Sequence, residues 1–373
     1  MQIGYDAKRA FLNNTGLGNY SRWLIKTMAQ HYPENTYVLY TPEIKPNSRL
    51  GFLNPFKNIH TVTPQGKLIK SWWRSNSIVD DLVRDHIEIY HGLSHELPLG
   101  IRQSGVKSVV TVHDLIFMRM PEQFGRINRA IYGLKVKKAC SVADKVIAIS
   151  QKTKDDVVEL LNIDPKKIEV LYQGCDPSFN AQIDDRQKQV ICTKYGIPSK
   201  FILNVGTIEE RKNLLLLIKA LPFIEAIPLV VVGKPTQYLD TIKQYIADNN
   251  LTDRIIFIHN AEFADLPAIY QSAPVFVYPS RYEGFGIPVL EAISSGTPVI
   301  AATGTCLEEA GGPGSLYTDP DNEADLAEKI NSILNNPGLA QNMREQGLAY
   351  ATKFDEYELA AQLMQLYQSI QHA

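Results

Sequence analysis

Residues 278–301 read YPSRYEGFGIPVLEAISSGTPVIA, and this stretch decides the fold. The preceding VFVY, closed by Pro279, is a short apolar run of the kind that forms a buried strand. Pro288 suits the first turn of a helix, where a missing N–H costs no hydrogen bond. Gly296 ends that helix, and Pro298 leads into a further apolar strand. On this reading Glu283 falls just outside the helix N-terminus and Glu291 within its first turn. Backbone N–H groups from Gly286 onward have no intrahelical acceptor and form a site for anions, phosphate above all. The two carboxylates, eight residues apart, accept hydrogen bonds from hydroxyls. A ligand with hydroxyls at both ends and phosphate in the middle matches both features, and a nucleotide sugar is such a ligand. Surface glutamates on a plain strand–loop–helix unit are the simpler alternative, but glycines, proline and spacing agree on the first.

Outward from this segment, short apolar runs alternate with helical patterns, which argues for parallel sheets covered by helices. In the first half, strand candidates lie at 2–6, 37–40, 87–91, 108–112, 145–149 and 168–171. Helix candidates lie at 18–31, 76–84, 127–141 and 152–161, the last with Ser150 as N-cap. A second strand series occupies 201–205, 229–232, 255–259, 275–278 and 299–301. Between the two, residues 172–199 carry charges but little apolar period, the pattern of a linker. The final helix, 355–370, repeats Leu359, Leu363, Leu366, Tyr367 and Ile370 at helical spacing. The expectation is two doubly wound α/β domains, whose ligands bind beyond the carboxyl ends of the strands.

Composition narrows the class. With 373 residues, 45% hydrophobic and 21% charged, the chain reads as a globular enzyme. Its 38 Lys+Arg against 40 Asp+Glu give no reason to expect nucleic acid as a partner. The start, MQIGYDAKRAF, lacks the apolar core of a signal peptide, and no run reaches bilayer-spanning length. Cys140, Cys175, Cys192 and Cys306 stand apart with no CxxC, as reduced thiols do, so a cytoplasmic location is expected.

Several further segments could carry chemistry. Thr15-Gly-Leu-Gly-Asn19 offers either a phosphate contact through Gly16 and Gly18 or a structural turn, and Ser21 breaks a full GxGxxG. His113-Asp114 ends a buried strand, as a general base or as a satisfied structural histidine. His91 ends another strand, lining the same cleft or packing in the core. Gly206-Thr-Ile-Glu-Glu-Arg-Lys-Asn213 places Arg211 and Lys212 at a helix start, able to hold a diphosphate or to remain surface charge. Gly233-Lys234 and His259-Asn260 follow neighbouring strands, and Glu308-Glu309 precede a Gly-Gly turn. Lys67-Leu-Ile-Lys-Ser-Trp-Trp-Arg74 suits a membrane interface or the start of a core-facing helix.

The Glu283/Glu291 spacing, together with TGLGNYSRWL at 15–24 and HDL at 113–115, resembles the E-x7-E family 4 retaining glycosyltransferases of GT-B architecture. The pattern is nearest to bacterial mannosyltransferase-like enzymes of surface polysaccharide assembly. The resemblance implies two Rossmann-like domains facing a central cleft: 1–175 on the acceptor side, joined by the return of 355–373, and 176–354 binding the nucleotide sugar. It implies catalytic roles for His113, Arg211, Lys212 and Glu283. Substrate contacts would come from Gly16, Gly18, Asp114, Gly206, Phe285, Gly286, Ile287 and Glu291. Many family members carry an arginine directly after the strand-ending glycine; here that position is Thr207, so the diphosphate clamp rests on Arg211 and Lys212. No metal and no cofactor is implied beyond the nucleotide-diphosphate sugar as co-substrate. Asp80-Asp81 and Asp155-Asp156 are acidic pairs on helices, not a strand-end DxD. The acceptor would be a glycan or lipid-linked saccharide, with peripheral contact at the inner face of the membrane. A sugar-nucleotide epimerase using His113 as base, and a non-catalytic nucleotide-sugar-binding module, are the rival readings.

Overall fold

The computed structural model describes residues 1–45, 48–64 and 70–371. Within them the chain forms two compact units, residues 1–174 with the chain from Phe354 onward, and Cys175–Lys353.

In the first unit the strands are β1 (Gln2–Asp6), β2 (Thr36–Tyr40), β3 (Ile59–Val62), β4 (Ile89–Gly92), β5 (Lys107–Val112), β6 (Lys145–Ala148) and β7 (Ile168–Val170). They form one sheet in the order β3-β2-β1-β4-β5-β6-β7, every described pairing parallel. Ile3, Tyr5, Val109, Val110 and Val112 are all fully buried, because helices cover both faces of a parallel sheet. The order reverses between β1 and β4, which opens the crevice where open α/β sheets bind ligands. The last helix, Glu356–Gln371, packs on the helix Gly16–His31 of this same unit. Its Tyr367 hydroxyl lies 2.6 Å from His91 Nδ1, and His91 Nε2 lies 2.8 Å from Thr111 Oγ1. His91 is therefore a satisfied core histidine with no exposed surface.

In the second unit β8 (Ile202–Val205), β9 (Leu229–Val232), β10 (Ile255–Ile258), β11 (Val275–Tyr278), β12 (Val299–Ala302) and β13 (Leu316–Thr318) form a parallel sheet in the order β10-β9-β8-β11-β12-β13. Leu217, Val231, Val277, Ile300 and Ile330 are among the side chains that pack its core. Here the reversal falls between β8 and β11, so the loops after these two strands flank the crevice.

Residues 172–199 are more ordered than a linker. They hold the helix Asp185–Lys194, whose N-cap Asp184 accepts from Gln187 N–H at 2.8 Å and which packs on the helix Leu266–Ser272. Only Ile191 of that helix is buried, which leaves no apolar period to read. The edge strands β3 and β13, too short and polar to stand out, were also not expected. GLY and PRO positions served better: the helix Ile287–Ser294 carries Pro288 in its first turn and ends before Gly296, as its sequence requires.

Candidate active site

The crevice of the second unit is built from the two loops that flank the sheet reversal. Behind β8, Gly206 has φ 154°, and a Cβ on Gly233 would stand 1.8 Å from the Gly206 carbonyl oxygen. Two strand ends thus converge on bare backbone. The chain then makes a short turn, Glu210–Lys212, and Asn213 adopts a left-handed φ of 58° before the helix Leu214–Ala220. Arg211 and Lys212 stand ahead of this helix rather than opening it. Asn213 Nδ2 donates to the carbonyls of Pro279 (3.2 Å) and Pro320 (2.8 Å), and Arg281 N–H donates to the Arg211 carbonyl at 2.9 Å. These bonds fasten the turn to the loop after β11.

Glu283 is the hub of what results. Its Oε1 lies 2.8 Å from Arg211 Nη1 and 3.6 Å from Lys212 Nζ, and accepts from the Tyr278 hydroxyl and the Ser280 hydroxyl, each at 2.9 Å. Lys212 Nζ donates to the Tyr278 hydroxyl at 2.6 Å, and Arg211 donates to the Tyr282 carbonyl. Burial alone would raise the Glu283 carboxyl, but Lys212, Arg211 and the two hydroxyls outweigh it and hold it down to about 2. It is a carboxylate at any physiological pH. Arg211 gains from the same contact: burial opposes its charge, and Glu283 more than restores it.

The helix Ile287–Ser294 begins at Gly286, whose φ is 111° and where a Cβ would meet Leu307 at 2.5 Å. Glycine is required there on both counts. The N–H groups of Gly286 and Ile287 find no backbone acceptor among the described residues, as the first turn of a helix dictates. Phe285 is 1% exposed, so its ring belongs to the core and only its backbone can meet a ligand. Glu291 lies one residue beyond the first turn, deeper than the sequence suggested, with Gly286 rather than a later residue as the cap. It accepts from the Tyr270 hydroxyl at 3.0 Å. Burial pushes its carboxyl up to about 8, only partly offset by that hydrogen bond, so Glu291 is mostly protonated at neutral pH. Tyr278, Ser280 and Tyr270 were missed in the sequence; Tyr278, at a strand's carboxyl end beside the acid, was the available signal.

The crevice of the first unit has a different character. His113 follows β5, 5% exposed, and its Nε2–H donates to the Leu93 carbonyl at 2.8 Å, leaving Nδ1 as an acceptor. Its backbone N–H donates to His95 Nε2 at 2.7 Å, which places the His95 proton on Nδ1, 2.5 Å from the Tyr132 hydroxyl. Burial pushes both imidazoles down to about 3, so both are neutral. Asp114 accepts from Ile116 N–H at 3.1 Å. A cavity of about 640 Å³ is lined in part by Asp114, His95 and Tyr132. Gly18 packs against the Asn13 carbonyl, which a Cβ would approach to 1.8 Å, whereas Gly16 has open space around it. His95 and Tyr132 were not singled out from sequence, since only the fold joins them.

The segment ending at Arg74 turns inward. Trp73 is 2% exposed and its Nε1–H donates to Asp81 at 2.6 Å, while Arg74 pairs with Asp6 at 2.7 Å and with Glu96 at 2.5 Å. Lys67, Leu68 and Ile69 lie outside the described residues. Of the expected interfacial side chains, Trp72 remains exposed and Lys70 pairs with Glu43. Glu308 caps its own turn, accepting from Thr303 Oγ1 and Gly304 N–H. His259 Nδ1 lies 2.8 Å from the Gly233 carbonyl.

Comparison with known proteins assigns the class. Residues 16–179 match the family described as Glycosyltransferase Family 4, and residues 188–349 match Glycosyl transferases group 1. The O-antigen chain mannosyltransferase RfbU of Salmonella typhimurium is 30% identical over 239 residues, 64% of this chain and 63% of that protein. O-antigen chain mannosyltransferase B of Escherichia coli is 25% identical over 369 residues, 95% of this chain and 96% of that one. Among solved structures, HepE of Anabaena in complex with UDP and glucose superposes with a TM-score of 0.76 at 18% identity, covering 99% of this chain and 100% of that one. The sucrose-phosphate synthase of Thermosynechococcus elongatus gives 0.78 at 19% identity, covering 99% of each. The fold is GT-B, and the chain belongs to the family 4 glycosyltransferases.

Proposed function

We propose that this glycosyltransferase moves a hexose, mannose in our reading, from a nucleotide-diphosphate sugar to a glycan or lipid-linked saccharide in surface polysaccharide assembly, with retention and without a metal. The second unit would hold the donor and the first the acceptor. The names of the relatives support mannose and the polysaccharide; HepE, a fold neighbour seen with UDP and glucose, supports a nucleotide sugar. The observation that carries the reading is the convergence of Arg211 and Lys212 on ionised Glu283 beside the open amides of Gly286 and Ile287.

The chemistry follows from charge. A nucleotide sugar already bears a good leaving group, so breaking its anomeric bond needs negative charge stabilised on the departing diphosphate. Arg211, Lys212 and the two amides supply donors fixed in advance, so little reorganisation is needed during the reaction. Glu283, locked as a carboxylate, accepts hydrogen bonds from sugar hydroxyls and keeps the cations in place. Glu291, mostly protonated when unliganded, meets the ribose hydroxyls as donor or acceptor. Attack from the face the diphosphate leaves, with a phosphate oxygen taking the acceptor's proton, gives retention without a protein nucleophile. His113 Nδ1 serves as an acceptor for a saccharide hydroxyl. An imidazole titrating near about 3 is a poor base at neutral pH, which weighs against epimerisation.

The test is incubation with GDP-, UDP-, dTDP- and ADP-linked sugars and saccharide acceptors in the presence of a chelator. Product mass and anomeric configuration are recorded. A hexose added with its donor configuration kept is expected. An inverted product, an epimerised donor or loss of activity to the chelator would overturn the corresponding part of the reading.

A further inference from the structure

Between β4 and β5 the chain holds one histidine in a conformation that residues with side chains rarely adopt. His95 has φ 64° and is buried. Its N–H donates to the Thr111 carbonyl at 2.9 Å. The turn ahead of it is tight, since a Cβ on Gly92 would stand 2.1 Å from the Glu96 carbonyl oxygen. A left-handed backbone at a residue other than glycine persists where the surroundings impose it, and such residues collect at functional sites. Here the conformation sets one ring between two others. His95 lies edge-on to His113, with centroids 5.4 Å apart, and edge-on to Tyr132 at 5.9 Å.

The direction of each proton follows from these contacts. The His113 backbone N–H only donates, so His95 Nε2, 2.7 Å away, accepts and carries no proton. A neutral imidazole then keeps its proton on Nδ1, which donates to the Tyr132 hydroxyl oxygen at 2.5 Å. That leaves the phenol its own proton to give. Tyr132 has no other hydrogen-bond partner among the described residues. Its ring is set by the helix Arg126–Val142 and packs edge-on against Phe117 at 4.8 Å. Burial, with Asp114 and Glu96 nearby, raises the phenol above its usual value, so the proton stays on the oxygen. Tyr132 also lines the cavity of about 640 Å³, a volume in the range of small-molecule sites. A fixed donor without a protein acceptor, on the wall of such a cavity, is placed to meet a ligand.

We propose that Tyr132 donates this hydrogen bond to an oxygen of the acceptor saccharide, and that His95 is the positioning residue that aims it. The inference rests on the reading that the first unit holds the acceptor, and adds which side chain recognises it. The cavity wall sets the class of ligand. Asp114 accepts hydrogen bonds, while Asn128, Arg129 and Lys135 donate them, which matches the mixed hydroxyl and ring oxygens of a sugar. Ile116 and Phe117 offer apolar surface to the C–H face of a sugar ring. His95 also grips the backbone of His113, whose Nδ1 is the other acceptor on this rim. One imidazole therefore sets both a donor and the loop that carries an acceptor.

Nitrogen NMR of the full chain with isotope-labelled histidine should show His95 protonated at Nδ1 and bare at Nε2, in the wild type and in Tyr132→Phe alike. A proton on Nε2 would overturn the proposal. Methyl α-mannoside, mannobiose, chitobiose and lactose are then titrated into the wild type, Tyr132→Phe, His95→Asn and the double variant, with GDP and UDP as separate ligands. At least one saccharide is expected to bind the wild type. Tyr132→Phe removes only the hydroxyl and should weaken that saccharide about three- to tenfold, as loss of one neutral hydrogen bond does. Asparagine tolerates the left-handed backbone, so His95→Asn should weaken it at least as much through the lost ring alone. The double variant should bind like His95→Asn, because the same bond is lost once. Saccharide binding unchanged in Tyr132→Phe, absent from the wild type across the panel, or falling additively in the double variant would each overturn the proposal. Nucleotide binding should not move in any variant. Wild-type protein that binds no nucleotide, with saccharide binding as expected, would sink the donor assignment and leave this one standing.

Discussion

The carboxyl-end rims of the two sheets are built on opposite electrical plans. In the first unit His91, His95 and His113 are buried, bonded to neutral partners and pushed down to about 3, and Arg74 is held between two carboxylates, Asp6 and Glu96. In the second, one inner carboxylate, Glu283, is shared by two cations, and the neighbouring acid, Glu291, is mostly protonated. Glu209 also meets Arg211, at 3.2 Å, but with its side chain 42% exposed to screening water. A rim of neutral imidazoles can orient hydroxyls; a rim where two cations share one inner carboxylate can receive a diphosphate. The proposed division of labour between units rests on that difference.

The sharpest way to break the comparison is Lys212→Ala. Loss of one preorganised donor should lower kcat about a hundred- to thousandfold at saturating donor. Initial rates falling less than about tenfold would mean that the cation surplus is not used in the transition state. Glu283→Gln comes next. Removing one partner of a buried pair leaves Arg211 and Lys212 uncompensated and should cost about 3 kcal/mol of stability by urea denaturation. Because the Glu283 carboxyl is depressed, its stabilisation is present above the ordinary carboxyl value and lost as pH falls toward about 2. The variant's acid limb should lack that loss.

His113→Asn should have a smaller effect, on the order of tenfold in kcat/KM, the worth of one hydrogen bond. More tellingly, the wild-type pH–rate profile should carry no step from His113 between about pH 5 and 8, since its imidazole titrates near about 3. A step in that window that vanishes in the asparagine variant would show that the first rim is not neutral. The smallest effect is that of Glu291→Gln below the ordinary carboxyl value, within about 1 kcal/mol, because glutamine there replaces a protonated acid. The Glu291 carboxyl is raised, so its contribution is full below the ordinary carboxyl value and lost as pH rises through about 8. Thermal unfolding of the wild type should decline over that range relative to the variant.

Much of the scaffold was legible because strands buried on both faces leave unbroken apolar runs; Gln2–Asp6, Leu229–Val232 and Val275–Tyr278 have the bounds their sequence implies. The loop from Glu283 to Pro288 was legible because its glycines and proline have few other uses. The helix Asp185–Lys194 was hidden, with a single buried side chain to betray it. So were the partners that set the chemistry. Tyr270 decides how Glu291 bonds, and the His113 N–H decides the His95 tautomer, yet each pair is joined only by packing across sequence. Protonation was the least readable property of all: Glu283 and Glu291 are the same residue, eight positions apart, and burial drives only one of them neutral.

The most direct test is calorimetric titration of a nucleoside diphosphate and its parent nucleoside into the wild type and Lys212→Ala. Expected is a diphosphate that binds far more tightly than the nucleoside to the wild type, with that preference collapsing in the variant while nucleoside affinity holds. A diphosphate preference of undiminished size in Lys212→Ala would contradict the claim that this rim's spare cation grips the leaving group.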